Sequence, residues 1–406
     1  MLIQQAYRYE LKPNNKQKTL FAKHAGTARF AYNWGLARRI EEYKTEGKSS
    51  NAIKQHRQLN ALKKTDFPWM YEASKCAPQE ALRDLDRAFN NFFRGLKTGQ
   101  KVGFPKFKKK GIHDSFRLTG SLRSLKRSVV LPRLGEIRTK ERTNVKGRIL
   151  SVTVSREADR WFAAFSVKRK RDEQRIVGGK VIGLDVGINS FAVTSEGERL
   201  KSPKPLNKAL SLLKRRSKQH SRKKPGSSNR KKSALKLARL HRKIKNRRRD
   251  FLHKVSTRLA KTKPVLVVEN LNVGGMIRNR CLSRHIADSG WTEFFRMLEY
   301  KTAWYGSTLV KAPRFYGSSK ICSRCEAVMS DLTLSQRQFS CPHCGLELDR
   351  DENAARNLES IATASSAGRY ACEDPSGGGT QNNLWPTSHG SLKQEADARF
   401  SSGILG

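Results

Sequence analysis

Four cysteines in the C-terminal part of the chain restrict its fold more than any other feature. They read Cys322-x2-Cys325-x15-Cys341-x2-Cys344, two knuckles whose thiolates close a tetrahedral shell around one zinc ion. Four sulfurs leave no open position for water or substrate. This zinc is therefore expected to fold a small ribbon and to take no part in chemistry. His343, inside the second knuckle, is expected to be a loop residue rather than a ligand. Cys76, Cys281 and Cys372 have no partner at a comparable spacing, which points to a reducing compartment rather than a disulfide scaffold.

The ribbon belongs to a chain of 406 residues with 83 Lys and Arg against 35 Asp and Glu, a net charge of +48. At roughly 100–200 residues per domain, that length predicts two to four domains. So lopsided a charge repels itself in a compact fold, and its natural partner is a polyanion. No apolar run approaches the ~20 residues of a spanning helix. The start, Met1-Leu2-Ile3-Gln4-Gln5, lacks the layout of a secretory signal. No membrane partner and a cytoplasmic location are expected. Residues 201–250 hold 21 bases and one acid, Asp250, while residues 101–170 hold 20 bases and five acids. Two distant basic stretches suit a long polyanion held in a channel better than a single tail would. Residues 363–406, rich in Gly, Ser, Thr and Asn with three bases and four acids, are expected to be a disordered tail.

Local patterning predicts both strands and helices. Ile3, Gln5, Tyr7, Tyr9 and Leu11 recur at period two, a strand signal. From Lys16 to about Phe93 the period is helical, with breaks near Thr65–Pro68 and Cys76–Pro78. Strands follow at Ser128–Pro132, Ile149–Ser155 and Trp161–Lys168, and with the first strand these are expected to close one small β-barrel around the inserted helices. Phe92, Phe93, Phe104 and Phe107 are expected in the core, with stacking on bases as the alternative. Val181–Val193 reads as a buried strand and Ser195–Glu198 as a hairpin turn. Leu237, Leu240, Ile244, Phe251 and Val255 mark a long helix with one packed and one cationic side. Pro264 resets the chain into a strand, Val265–Val268, and an aromatic helix around Trp291–Tyr305 follows.

Three acids stand in apolar settings. Asp185 lies in Val181-Ile182-Gly183-Leu184-Asp185-Val186-Gly187, where strand alternation puts it on one face with two glycines. That face is expected to be uncovered, open to a phosphate or a metal. Glu269 ends Val265-Leu266-Val267-Val268-Glu269, and ligand-binding residues of α/β sheets gather at the carboxyl ends of strands. In Asp349-Arg350-Asp351-Glu352 the spacing of Asp349 to Glu352 marks Asp349 as the helix cap. Asp351, four residues before Ala355 and seven before Leu358, then projects from the apolar side of the helix. Leaving it unpaired there would cost several kcal/mol, and a metal would remove that cost. Three inward acids fit a centre for two Mg²⁺ ions roughly 3.5–4 Å apart, which would activate water for phosphodiester cleavage.

Taken together, these motifs carry a resemblance. Gly183-Leu184-Asp185-Val186-Gly187, Val268-Glu269-Asn270-Leu271 and the four-cysteine ribbon followed by Asp349-Arg350-Asp351-Glu352-Asn353-Ala354-Ala355-Arg356-Asn357 resemble TnpB, the OrfB protein of bacterial insertion sequences and a relative of the type V CRISPR nucleases. Tyr9–Asn14, Phe30-Ala31-Tyr32-Asn33 and Gly103-Phe104-Pro105-Lys106-Phe107 are similar to that family too. The resemblance implies a multidomain α+β and α/β chain. A wedge-like β-barrel would span residues 1–14 and 100–177, with a helical recognition lobe at 15–99. An RNase H-like (RuvC) nuclease domain would span 178–317 and 348–362, carrying a zinc ribbon at 318–347. It implies Asp185, Glu269 and Asp351 as catalytic acids that bind magnesium, and Cys322, Cys325, Cys341 and Cys344 as zinc ligands. It also implies a guide RNA from the transposon end that directs cleavage of double-stranded target DNA, in a nucleoid-associated bacterial protein. The alternatives are a nucleic-acid-binding regulator that does not cut, and a transposase that performs strand transfer itself.

Overall fold

The first strand, β1 (Leu2–Leu11), buries Ile3, Tyr9 and Leu11. The computed structural model describes residues 1–370 except 101, 173–175, 177, 334 and 335, with side chains to residue 364. The chain divides into two units, residues 1–363 and 364–406, and the first carries every element named below except the end of the last helix. After β1, Asn14 and Gln17 exchange side-chain and backbone hydrogen bonds and start α1 (Asn15–Glu46). That helix stops at Gly47 in the left-handed conformation (φ 68°), a break the helical period did not show. α2 (Ala52–Thr65), a short 3₁₀ turn (Pro68–Glu72) and α3 (Cys76–Lys97) complete the helical segment. Pro78 therefore sits in the first turn of α3, where the missing N–H costs nothing, rather than at a break.

The expected closed barrel is not formed among the described residues. β2 (Ser115–Leu118), β6 (Arg148–Glu157) and β7 (Arg160–Lys170) join β1 in a four-stranded sheet of order β1-β7-β6-β2. β3 (Arg123–Ser124), β4 (Ser128–Leu131) and β5 (Gly135–Arg138) form a separate three-stranded sheet. The two sheets meet at an isolated bridge, Leu11 with Thr139, beside a hydrogen bond from Lys12 N to Arg138 O. Closure needs strands long enough to stagger around a cylinder, and β3, β4 and β5 are too short. Both sheets and all three helices still share one apolar core around Phe21, Leu82, Phe116, Ile137 and Phe165. The expected burial of the four phenylalanines is corrected as well: Phe92, Phe93 and Phe104 pack on one another and on Phe89 at the surface, and Phe93, Phe104 and Phe107 are exposed.

The second half is built on a mixed sheet. β8 (Ile182–Asp185) is followed by a bend, so the expected long strand from Val181 to Val193 is a hairpin in which β9 (Ala192–Thr194) returns antiparallel. β10 (Arg199–Leu200) extends it. α4 (Pro205–Ser221) and α5 (Ser228–Thr262) form a helical hairpin that leads to β11 (Val265–Val268), parallel to β8. Two short helices, α6 (Val273–Met276) and α7 (Ser283–Ser289), precede α8 (Trp291–Tyr305), and β12 (Thr308–Lys311) completes the order β10-β9-β8-β11-β12. Leu252, Leu259, Trp291 and Phe294 pack this sheet from the helical side. The cysteine segment contributes one hairpin, β13 (Gln338–Ser340) with β14 (Glu347–Asp349). α9 (Arg350–Tyr370) runs on past residue 363, where the tail was expected to begin. Residues 371–406, the rest of that expected tail, lie outside the described residues.

α9 lies against β8 with no side chain between the two backbones. A Cβ at Gly183 would overlap the Ala355 carbonyl oxygen and stand 2.7 Å from the Glu359 backbone nitrogen. The glycine face of β8 is thus covered by a helix at Gly183, contrary to the open face expected from the sequence. Gly183→Ala is expected to destabilise the fold by about 1–3 kcal/mol because neither backbone can yield. Gly103→Ala, with open space around it, should stay within about 0.5 kcal/mol of the parent. Thermal unfolding of the two variants checks the contrast.

Candidate active site

Asp185 is the last residue of β8, and Glu269 follows directly on β11. These strands are parallel neighbours with Leu184 level with Val268, so the next residue on each places an acid at the same edge of the sheet. Asp351 arrives from α9. The Asp349 side chain accepts from the backbone N–H groups of Asp351 at 3.0 Å and Glu352 at 3.3 Å, and its other oxygen takes Arg199 of β10 at 2.6 Å. Asp349 is therefore the cap, and Asp351 faces the sheet on the side of buried Ala355 and Leu358. One of its oxygens would lie 4.0 Å from a Cβ built on Gly187.

The electrostatics bear out this convergence. Burial first, and then the charges of Glu269 and Asp351, hold the Asp185 carboxyl well above its ordinary range, with Arg350 acting in the opposite sense. Burial raises Glu269 as well, against a 2.7 Å hydrogen bond from Ser318 Oγ that favours its ionised form. Carboxyls that repel one another at a half-buried sheet edge could hold a cation, and an all-oxygen donor set suits a hard divalent ion. They do not crowd as closely as the thiols do: among the described residues, only the four cysteines bring three or more such ligand atoms within 4.8 Å of one another.

The sulfurs pair as Cys322 with Cys344 and Cys325 with Cys341, each at 3.6 Å. A tetrahedron with ~2.3 Å zinc–sulfur bonds has edges of ~3.8 Å, so this cluster fits a zinc ion with little adjustment. His343 is exposed outside it. Cys76 is buried and Cys281 exposed, and Cys372 lies outside the described residues.

Several residues near these groups were not expected. Ser318, 2% exposed, has no pattern that marks it, because it sits in an irregular loop. Asn353 and Asn357, at 0% and 4% exposure, hold that loop to α9. Their spacing of four beside Ala354 and Ala355 puts both amides on one side of the helix, a pattern visible in the sequence. Arg350 reaches from α9 to the Thr333 carbonyl at 2.9 Å. The basic surface also proves divided. Lys214, Arg215, Lys218, Arg222, Lys223, Lys224, Lys231 and Lys232 are exposed around the tip of the α4–α5 hairpin. On α5, by contrast, Arg239 and Arg242 bind Asp159 at 2.8 and 2.9 Å, and Lys245 binds Glu157 at 3.0 Å, at the β6–β7 turn.

Comparison with known proteins finds relatives along most of the chain. Residues 164–280 match the OrfB family of IS605-type elements, described as "Probable transposase". Residues 291–358 match the Cas12f1-like TNB domain, and residues 1–48 a helix-turn-helix domain of the same OrfB group. A protein of Streptomyces pristinaespiralis named "Putative RNA-guided DNA endonuclease" is 34% identical over 99% of this chain and 98% of its own. InsQ of Escherichia coli K12, under the same description, is 32% identical over 87% of this chain and 91% of its own. The solved mini RNA-guided endonuclease CRISPR-Cas phi3 aligns over 89% of this chain and 92% of its own, with a TM-score of 0.47 and 9% identity. The chain belongs to the TnpB (OrfB) family.

Two outcomes follow from the geometry. The parent is expected to retain one zinc through gel filtration and Cys325→Ser to lose it, read by elemental analysis. For Asp185 the sign is set by its raised carboxyl. Folding holds the proton more tightly than the open chain does, so the metal-free protein loses stability as pH rises above the ordinary aspartate value of 3.8. Asp185→Asn should escape that loss and melt at a higher temperature than the parent at neutral pH in chelator. Melting curves across pH test this, and a variant that tracks the parent would refute it.

Proposed function

We propose that this protein is an RNA-guided DNA endonuclease that cleaves double-stranded DNA, with Asp185, Glu269 and Asp351 as its catalytic acids. The observation that carries the reading is their convergence at one sheet edge, from β8, β11 and α9, in a chain whose net charge is +48. A purely electrostatic binder gains nothing from acids placed together, because they repel the phosphates it must hold. The guide is an RNA derived from the transposon end, and base pairing reads the target while the protein holds backbone.

The residues divide the work. The exposed cations of the α4–α5 tip neutralise phosphates without reading sequence. Asp185, Glu269 and Asp351 would hold Mg²⁺ and present it to the scissile phosphate. Bound there, Mg²⁺ supplies an acidified water and offsets charge on the phosphate oxygens. Asp349 spends its carboxylate on the cap and on Arg199, so it keeps Asp351 aimed without competing for the cation. The four cysteines would take zinc, and their closed sulfur shell keeps that metal out of the reaction.

Asp351→Ala is expected to lower cleavage of guide-matched double-stranded DNA by about a thousandfold or more, the scale on which removing one member of a catalytic group acts. RNA binding should be unchanged. Full cleavage by the variant would overturn the site. A parent protein that binds RNA and never cuts would point to a regulator, and recovery of joined transposon ends to a strand-transferring transposase.

A further inference from the structure

The loop that leads into the first cysteine knuckle touches the acidic centre directly. Ser318, buried at 2% exposure, donates its hydroxyl to Glu269 Oε1 at 2.7 Å. Its backbone is fixed on both sides: its N–H donates to the Tyr316 carbonyl at 2.9 Å, and its carbonyl accepts from Asn357 Nδ2 at 2.7 Å. Asn357 also donates to the Ile321 carbonyl at 2.6 Å, and the Tyr316 hydroxyl returns a bond to the Asn357 carbonyl at 3.2 Å. One turn toward the start of α9, Asn353 donates to the same Ile321 carbonyl at 2.7 Å and accepts from Ser323 N at 2.9 Å. Ile321 and Ser323 flank Cys322. The knuckle and Glu269 are thus linked by a short run of satisfied hydrogen bonds, with the two buried asparagines as its fixed points.

A carboxylate at the end of a strand rotates freely about its last bonds unless one oxygen is held. A hydroxyl on Oε1 restricts that rotation and so fixes the direction of Oε2 as well. Groups that orient a metal ligand in this way commonly set metal affinity by about 10–100-fold. Amides buried without partners would be costly, and both asparagine side chains are satisfied by the knuckle loop in its folded form.

Resting on the acidic centre proposed above, we propose that Ser318 is a positioning residue for Glu269, and that Asn353 and Asn357 make the fold of the cysteine ribbon a condition for the divalent-cation affinity of the acids. The ribbon then has a part in the reaction centre that a nucleic-acid grip does not require. Ser318 acts through Glu269, the carboxylate it holds.

The test is Mn²⁺ binding by the purified full-length protein, read from the electron paramagnetic resonance signal of the free ion. Ser318→Ala is expected to weaken Mn²⁺ binding about 10-fold while zinc content and melting temperature match the parent. In a Glu269→Gln background the same substitution should change nothing, because the group it orients is gone. Asn357→Ser, which shortens the amide and leaves Ser318 intact, should reproduce the weakening. Ser318→Ala with parental Mn²⁺ affinity overturns the proposal, as does an equal further loss in the Glu269→Gln background, which a merely structural role would give. Failure of the acidic centre itself is distinguishable: there the parent binds no Mn²⁺ and Asp351→Asn binds as the parent does.

Discussion

The seating of α9 on β8 is the contact on which the gathering of the three acids depends. At Gly183 the strand offers no side chain, and the Ala355 backbone occupies the space one would fill. Close approach of helix to sheet is short-ranged packing with no slack, since interiors at crystal-like density transmit a displacement rather than absorb it. Lifting α9 at Ala355 would move Asp351 away one turn earlier. The same helix is held at its start by the Asp349 cap and the Arg199 pair, and along its side by Asn353 and Asn357. Three independent restraints locate one carboxylate. They offset the repulsion that gathers three acids at a sheet edge.

The positive charge is organised on a similar principle of separation. Cations on α5 that meet the β6–β7 turn are consumed internally by Glu157 and Asp159, and Arg8 joins them at 2.9 Å from Glu157. Those pairs fasten the α4–α5 hairpin to the first half of the chain. Such half-exposed pairs contribute little stability singly, yet as a network they fix orientation. The cations beyond them, around the hairpin tip, have no acids of comparable density nearby and remain available to phosphate.

Much of this was legible in the sequence, and the reasons differ by element. Periodicity located β1 and α5 because each has one buried face, and the unbroken apolar run after Pro264 located β11, which is buried on both faces. The four cysteines announced their cluster because metal geometry demands that spacing. The cap assignment of Asp349 over Asp351 followed from helix arithmetic. What escaped was relational. Closure of the strands into a barrel depended on the length of β3, β4 and β5, of which only β4 left a readable run, and on pairing between strands that no local pattern records. The role of Gly183 was inverted, since alternation shows which face a glycine is on but not what lies over it. Ser318 was invisible because a loop serine has no period, and its partner is 49 residues away in the chain.

The order of the acids along the chain has a consequence for synthesis. β8 and β11 leave the ribosome well before α9, and domains begin to fold as they emerge. Until residues beyond Leu358 are available, β8 lacks its covering helix and the centre lacks Asp351. A growing chain already carries most of its cations by then, so its positive charge precedes the gathering of the three acids. The late position of α9 makes the meeting of the three acids one of the last events in the folding of this half of the chain.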